Sequence, residues 1–208
     1  MKKYLLFIIC SLVFCSEAAP AQTLTQAQMI EQVNEAAANV HTLTCQFIQT
    51  KESSLLKAPI VSTGQLYYTD HEQLRWEYLS PYPYQLIING EQMKVAAGTD
   101  NQHINMQQST TAKRITQTIM KGAKGKFLDD QHNFNVSMQQ EGTFWTATLI
   151  PKQNRMKRLF VKAELTFDTM SQMLQRMTLY EKNGDKTTIV LKDIKKNVAL
   201  DDQLFTTK

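Results

Sequence analysis

The sequence predicts a mainly β fold, a strongly curved antiparallel sheet that meanders from strand to strand, with two helices laid against it. Three observations carry that expectation. Segments in which apolar and polar residues alternate follow one another along most of the chain, the period of strands with one buried face. Turn signals separate them at short range, among them Asn89-Gly90, Glu141-Gly142 and Asn183-Gly184. Strand and helix patterns do not alternate, so a parallel sheet with crossover helices is excluded.

The chain opens with Met1-Lys2-Lys3, an apolar run from Tyr4 to Cys15, and the small and polar stretch Ser16 to Ala21. This order of charge, apolar segment and small-x-small site is that of a cleavable secretion signal. Residues 1–21 are expected to be removed, leaving a single domain over 22–208. The apolar run is too short to span a bilayer, which takes about 20 residues. Phe14 before Cys15 does not suit lipidation, so the mature protein is expected to be unanchored.

Leu24 to about Thr42 reads as a helix, with Ile30, Val33, Ala37 and Val40 on one face and a capping box from Thr25 to Gln28. From Leu43 the period becomes two, with Leu43, Cys45 and Phe47 on one face. Strands are expected at Ser62–Thr69, Gln73–Leu79, Tyr84–Asn89 and Gln92–Ala97, the last two joined by a type I′ turn at Asn89-Gly90. Gly98–Gln108 reads as polar and irregular, and Thr110–Lys121 as a second helix with Ala112, Ile115 and Ile119 aligned. Strands resume at Phe134–Gln140, Thr143–Lys152, Arg158–Asp168, Met173–Lys182 and Lys186–Lys195. In the third of these, Leu159, Val161, Ala163, Leu165 and Phe167 share a face.

Composition removes several functions. The chain carries a net +4, and loss of Lys2, Lys3 and Glu17 with the signal leaves it near neutral, too even to argue for nucleic acid. Cys45 would be the one cysteine of the mature protein, so no internal disulfide is expected. His41, His71, His103 and His132 are widely spaced, and no metal site is expected. No nucleophile elbow, phosphate loop or dinucleotide motif is present, and neither catalytic residues nor a cofactor are expected. In Leu74-Arg75-Trp76-Glu77-Tyr78, Arg75 and Glu77 share one strand face and the apolar residues the other, the ordinary amphipathicity of a sheet.

The inward residues of the strands stand out instead. Phe47, Leu66, Tyr68, Leu74, Trp76, Tyr78, Trp145, Leu159, Val161 and Leu165 are large and apolar. Ten methionines add adaptable hydrophobic surface. A curved sheet lined in this way either packs solid or encloses a ligand cavity.

Phe47-Ile48-Gln49-Thr50-Lys51, Gly64-Gln65-Leu66-Tyr67-Tyr68, Leu74-Arg75-Trp76-Glu77-Tyr78 with Pro81, Asn89-Gly90, Leu149-Ile150-Pro151-Lys152, Asn197 and Leu204-Phe205 follow in an order and spacing that resembles the LolA family of periplasmic lipoprotein carriers. The resemblance covers nearly all of the mature chain. It implies an unclosed antiparallel half-barrel whose helices form a lid over a hydrophobic cavity, the lid contributing Ile30, Val33, Ile115 and Ile119. It also implies a monomeric periplasmic carrier of lipoprotein acyl chains or another lipid, working between an inner-membrane ABC release complex and an outer-membrane acceptor. A relative that senses lipoproteins would have the same barrel. One departure is plain: Asp70-His71 stands where well-studied carriers have the Arg-Pro of the lid latch.

Overall fold

The computed structural model describes residues 24–97, 128–158 and 160–207, together with the backbone of residues 100–105. The expected signal at 1–21, the second helix at 110–121 with Ile115 and Ile119, and Leu159 lie outside the described residues.

Helix α1 (Gln26–Ala38) begins where the capping box predicts. Thr25 Oγ1 accepts from the Gln28 amide, and Gln28 Oε1 accepts from the Thr25 amide at 2.9 Å, so two of the orphan donors of the first turn are satisfied. The helix ends at Asn39, earlier than the periodicity suggests, and Val40 is buried beyond it in a different part of the core.

Among the described residues eleven strands form one sheet. They are β1 (Thr42–Glu52), β2 (Ile60–Thr69), β3 (Gln73–Ser80), β4 (Tyr84–Asn89), β5 (Gln92–Ala97), β6 (Asp100–Asn105), β7 (Phe134–Glu141), β8 (Phe144–Pro151), β9 (Lys162–Asp168), β10 (Leu174–Tyr180) and β11 (Lys186–Lys196). Their order is β6-β5-β4-β3-β2-β1-β11-β10-β9-β8-β7, and every pairing is antiparallel. Two meanders, β1–β6 and β7–β11, are therefore joined through the pairing of the first strand with the last. Strands β6 and β7, consecutive in the chain, lie at opposite edges, so the sheet is an open one.

Three details depart from the sequence reading. Asp100–Asn105, read as irregular because it is polar, is edge strand β6, paired residue for residue with β5. The β4–β5 loop is Gly90-Glu91, closed by the Asn89–Gln92 pair, and only Gly90 has positive φ, at 55°. That is the pattern of a type II′ turn rather than type I′. Strand β9 begins at Lys162, not Arg158, because a 3-10 turn (Met156–Arg158) comes first.

Helix α1 lies over the β7 side. Met29 and Val33 share one buried cluster with Leu128, Phe134, Trp145, Leu149, Leu165 and Phe167, and the partly buried Ile30 packs against it. Gln26 also bonds the edge strand, donating to Val136 O and accepting from the Met138 amide, each at 3.2 Å. Two backbone groups that an edge strand would otherwise leave open are thereby paired. On the opposite face of the sheet a C-terminal 3-10 turn (Asp202–Phe205) packs over β3 and β4. Arg75 donates to Leu204 O, Asn89 donates to Phe205 O, and Phe205 is fully buried.

Candidate functional site

Cross-strand register decides which side chains share a face, because residues paired across an antiparallel sheet project to the same side. Tyr68 is opposite Leu43 and Leu74; Trp76 is opposite Leu66 and Leu86; Leu86 is opposite Val95. The same face continues through Phe47 opposite Leu191, Ile189 opposite Met177, Met177 opposite Leu165, Leu165 opposite Ala147 and Ala147 opposite Met138. One apolar face thus runs without a break from β5 to β7. Of the residues singled out in the sequence, Phe47, Leu66, Tyr68, Leu74, Trp76, Tyr78, Trp145 and Leu165 all lie on it.

Val161 does not join them. The 3-10 turn and the bend after it interrupt the alternation before β9, so Phe160 takes the inward position and packs against the core, its ring stacked on Phe134 at 6.2 Å. Val161, 40% exposed, keeps only its backbone in register, its amide donating to Tyr180 O at 2.7 Å. Leu86, Ile88, Met93 and Val95 are on the face although no periodicity singled them out. In Leu86-Ile87-Ile88 the apolar run is continuous, and Ile87 is buried as well. Alternation is silent where a strand is covered on both sides.

The face is unevenly covered. Trp145 and Leu165 lie in the filled core under α1. Tyr68, Leu74, Ile88 and Met93 form a second buried cluster with Val40. Phe47 is buried too, its ring 5.2 Å from Trp76 and 5.0 Å, edge-on, from Tyr78. Gly64 sits beneath it, and a Cβ there would overlap both the Phe47 ring and the Glu77 carbonyl. Leu66, Trp76 and Tyr78 are only half-buried, and Tyr84, 6.0 Å from Tyr78, is exposed. The face therefore opens toward the end of the sheet where β3 finishes and β4 begins.

Polar groups on this part of the face are few. Tyr78 Oη donates to Gln49 Oε1 at 2.9 Å, and burial pushes the phenol's pKa up. The Trp76 indole N–H is buried near the Tyr78 phenol, whose pKa it lowers against the effect of burial, and makes no other hydrogen bond among the described residues. Burial pushes the Cys45 thiol up to about 12, so it stays protonated and unreactive at neutral pH. Tyr68 is pushed up to about 12 by burial and, secondarily, by the charge of Asp70. Among the described residues no three His, Cys, Asp or Glu side chains gather as a metal site would require. Such a surface suits apolar contact. The opposite face is different in kind: a groove of about 440 Å³ there is lined by Thr146, Thr166, Thr178, Thr188, Glu164 and Arg176 among others.

Asp70-His71 forms the β2–β3 turn with Glu72, which has φ of 62°. Asp70 Oδ2 is 2.7 Å from His41 Nδ1 and its Oδ1 is 3.1 Å from His71 Nδ1. The hydrogen bond from His41 holds the Asp70 carboxyl below the usual carboxylate range. The same junction is held from the other side by Asn197. It accepts from the His41 amide at 2.9 Å, donates to Asn39 O at 2.9 Å, and sends its own amide to Thr42 O at 2.8 Å from a left-handed φ of 57°. The exit of α1 is thus clasped between the β2–β3 turn and the end of β11.

Comparison with known proteins places this geometry. The family of the outer membrane lipoprotein carrier protein LolA matches residues 38–208. No curated protein sequence matches the chain. An uncharacterized conserved protein from Thermus thermophilus superposes with a TM-score of 0.56 at 10% identity, over 86% of this chain and 93% of that one. A chain of the Pseudomonas aeruginosa MucA/MucB complex gives 0.52 at 11% identity, over 87% of this chain and 60% of that one. A LolA superfamily protein from Nitrosomonas europaea gives 0.44 at 10% identity, over 88% and 98%.

Proposed function

The chain belongs to the LolA family of outer membrane lipoprotein carrier proteins, and from that premise we propose that it shields the acyl chains of lipoproteins on its apolar face and ferries them through the periplasm from the inner to the outer membrane. The observation that carries this reading is the unbroken apolar face of an open sheet, half-buried at Leu66, Trp76 and Tyr78. Each methylene exposed to water costs about 0.8 kcal/mol, so a lipid chain crosses an aqueous space only in an apolar container. No bond need be made or broken, and the protonated Cys45 fits a protein without nucleophilic chemistry. In this reading residues 1–21 are removed on export, and the donor and acceptor are an inner-membrane ABC release complex and an outer-membrane receptor.

The test is binding of a fluorescent fatty-acyl probe to the protein purified from the periplasm. Trp76→Glu sets a carboxylate on the open part of the face and should weaken binding at least about tenfold. Val161→Glu, outside the face, should leave it unchanged. Absence of saturable binding by the parent protein would end the carrier reading. A second reading, a module that senses lipoproteins, is favoured by one observation: Asp70-His71, at the place of the family's latch, is engaged with His41 at the exit of α1. Mass spectrometry of what co-elutes from the periplasm separates the two. Intact lipoproteins in stoichiometric amount support carriage; a stable protein partner without lipid supports sensing.

A further inference from the structure

Single exposed apolar side chains are normal on protein surfaces, but here they gather at one end. The loops joining β1 to β2 and β3 to β4 are neighbours, since Thr63 near the start of β2 pairs with Ser80 at the end of β3. The loops and the strand ends that flank them present Leu55, Leu56, Ile60, Val61, Leu79 and Tyr82, with Leu55 89% and Tyr82 81% exposed. Pro59, Pro81 and Pro83 limit the backbone freedom of both loops, and the Leu55 and Leu56 amides are tied back to Ser53. The tips are thereby held outward rather than collapsed on the sheet. At the opposite end of the strands, only Phe144 and Met170 are large, apolar and exposed among the described residues.

The two loops themselves, residues 53–61 and 79–84, carry no acid, and the acids nearest to them, Glu52 and Glu181, are ion-paired with Lys186 and Lys51. Lys57 projects from the first loop. The loop after β8, at the same end of the sheet, carries exposed Lys152, Arg155, Lys157 and Arg158, again with no acid between them. Leucine and tyrosine tips that seek the boundary between head groups and acyl chains, with Lys57 among them and a second, cationic loop at the same end of the sheet, complement an anionic lipid surface.

We propose that this end of the sheet docks directly onto the surface of an anionic phospholipid bilayer, with the β1–β2 and β3–β4 loop tips entering the head-group region. The open part of the apolar face, at Tyr78 and Tyr84, lies at the same end and would then meet the membrane. The docking rests on the rim and not on the cargo reading, and the two fail separately.

The experiment is flotation of the periplasmic protein with vesicles of phosphatidylglycerol and phosphatidylethanolamine, against vesicles of phosphatidylcholine. Binding is expected to the anionic vesicles and to fall several-fold between low and high salt. Leu55→Asp with Tyr82→Asp should reduce it at least about tenfold while acyl-probe binding and melting temperature stay at parent values. In a second variant, Tyr82→Trp, the new indole's emission should shift to the blue and be quenched by brominated lipid. Equal flotation with and without vesicles, parent-like binding by the double aspartate variant, or a Tyr82→Trp emission that vesicles leave unchanged would each overturn the proposal. Retention only by membranes that contain protein would assign the rim to a protein partner and overturn it too.

Discussion

Gly64→Ala should be among the most damaging single-methyl changes available to this protein. Gly64 is buried at the register shift between β2 and β3, and its missing side chain is the space into which the Phe47 ring is packed. An added Cβ overlaps two things at once. One is the Phe47 ring, which is 1% exposed and bounded by Trp76 and Tyr78. The other is the carbonyl of Glu77, part of the neighbouring strand's backbone. A flexible side-chain end moves aside cheaply; a clamped ring and a backbone carbonyl do not. Overpacking of a core costs about 1–3 kcal/mol, and with both neighbours fixed the upper figure of about 3 kcal/mol applies. For a domain of this size 1 kcal/mol lowers the melting temperature by about 2–4 °C, so a drop of about 6–12 °C is expected. Thermal and urea unfolding followed by tryptophan fluorescence measure it, since Trp76 is in the affected cluster. Adding Phe47→Leu should recover part of the Gly64→Ala loss, giving a coupling of about 1 kcal/mol, because the ring overlap goes while the carbonyl overlap stays. A Gly64→Ala protein melting within 2 °C of the parent, on the order of the assay's scatter, would refute the packing argument.

Three further outcomes follow from the core and the clasp, beside those given for acyl-probe and vesicle binding. Cys45 should react with an alkylating reagent at least about a hundredfold more slowly in the folded protein than in urea. Its native thiol keeps its proton up to about 12 against an ordinary 9.0, so the unfolded state holds fewer protons between those values. Stability should fall as pH rises through that window, by up to about 4 kcal/mol, and Cys45→Ala should flatten the slope; a slope unchanged in Cys45→Ala would count against a buried thiol. Asn197→Ala removes two side-chain hydrogen bonds at the exit of α1 and leaves a residue ill suited to φ 57°, so a loss of about 1–2 kcal/mol is expected in urea unfolding. A parent-like midpoint would show that the clasp is dispensable.

The sequence by itself determined what depends on near neighbours. Alternation at Cys45-Phe47, Leu66-Tyr68 and Ala163-Leu165-Phe167 placed those residues on one face, and the Thr25–Gln28 capping box marked the start of α1. Local periodicity suffices there because a strand with one wet face must alternate and a helix start must pair its own amides. The order of motifs reached the family as well.

What only the tertiary structure decided depends on residues far apart in the chain. The pairing of β1 with β11 makes one sheet of two meanders, yet Leu43 and Lys196 carry no local sign of each other. Polar Asp100–Asn105 is a strand because β5 offers it a hydrogen-bonding edge, not because of any pattern of its own. Asn197 belongs to the family pattern in the sequence, but its partners Asn39 and His41 reach it only through the fold. A 3-10 turn exchanges Phe160 for Val161 on the inside. The division of the apolar face into a part filled by α1 and a part left open at Trp76 and Tyr78 is of the same origin. Composition says that a side chain seeks cover; only packing in three dimensions says whether the protein itself supplies it or leaves the place for a ligand.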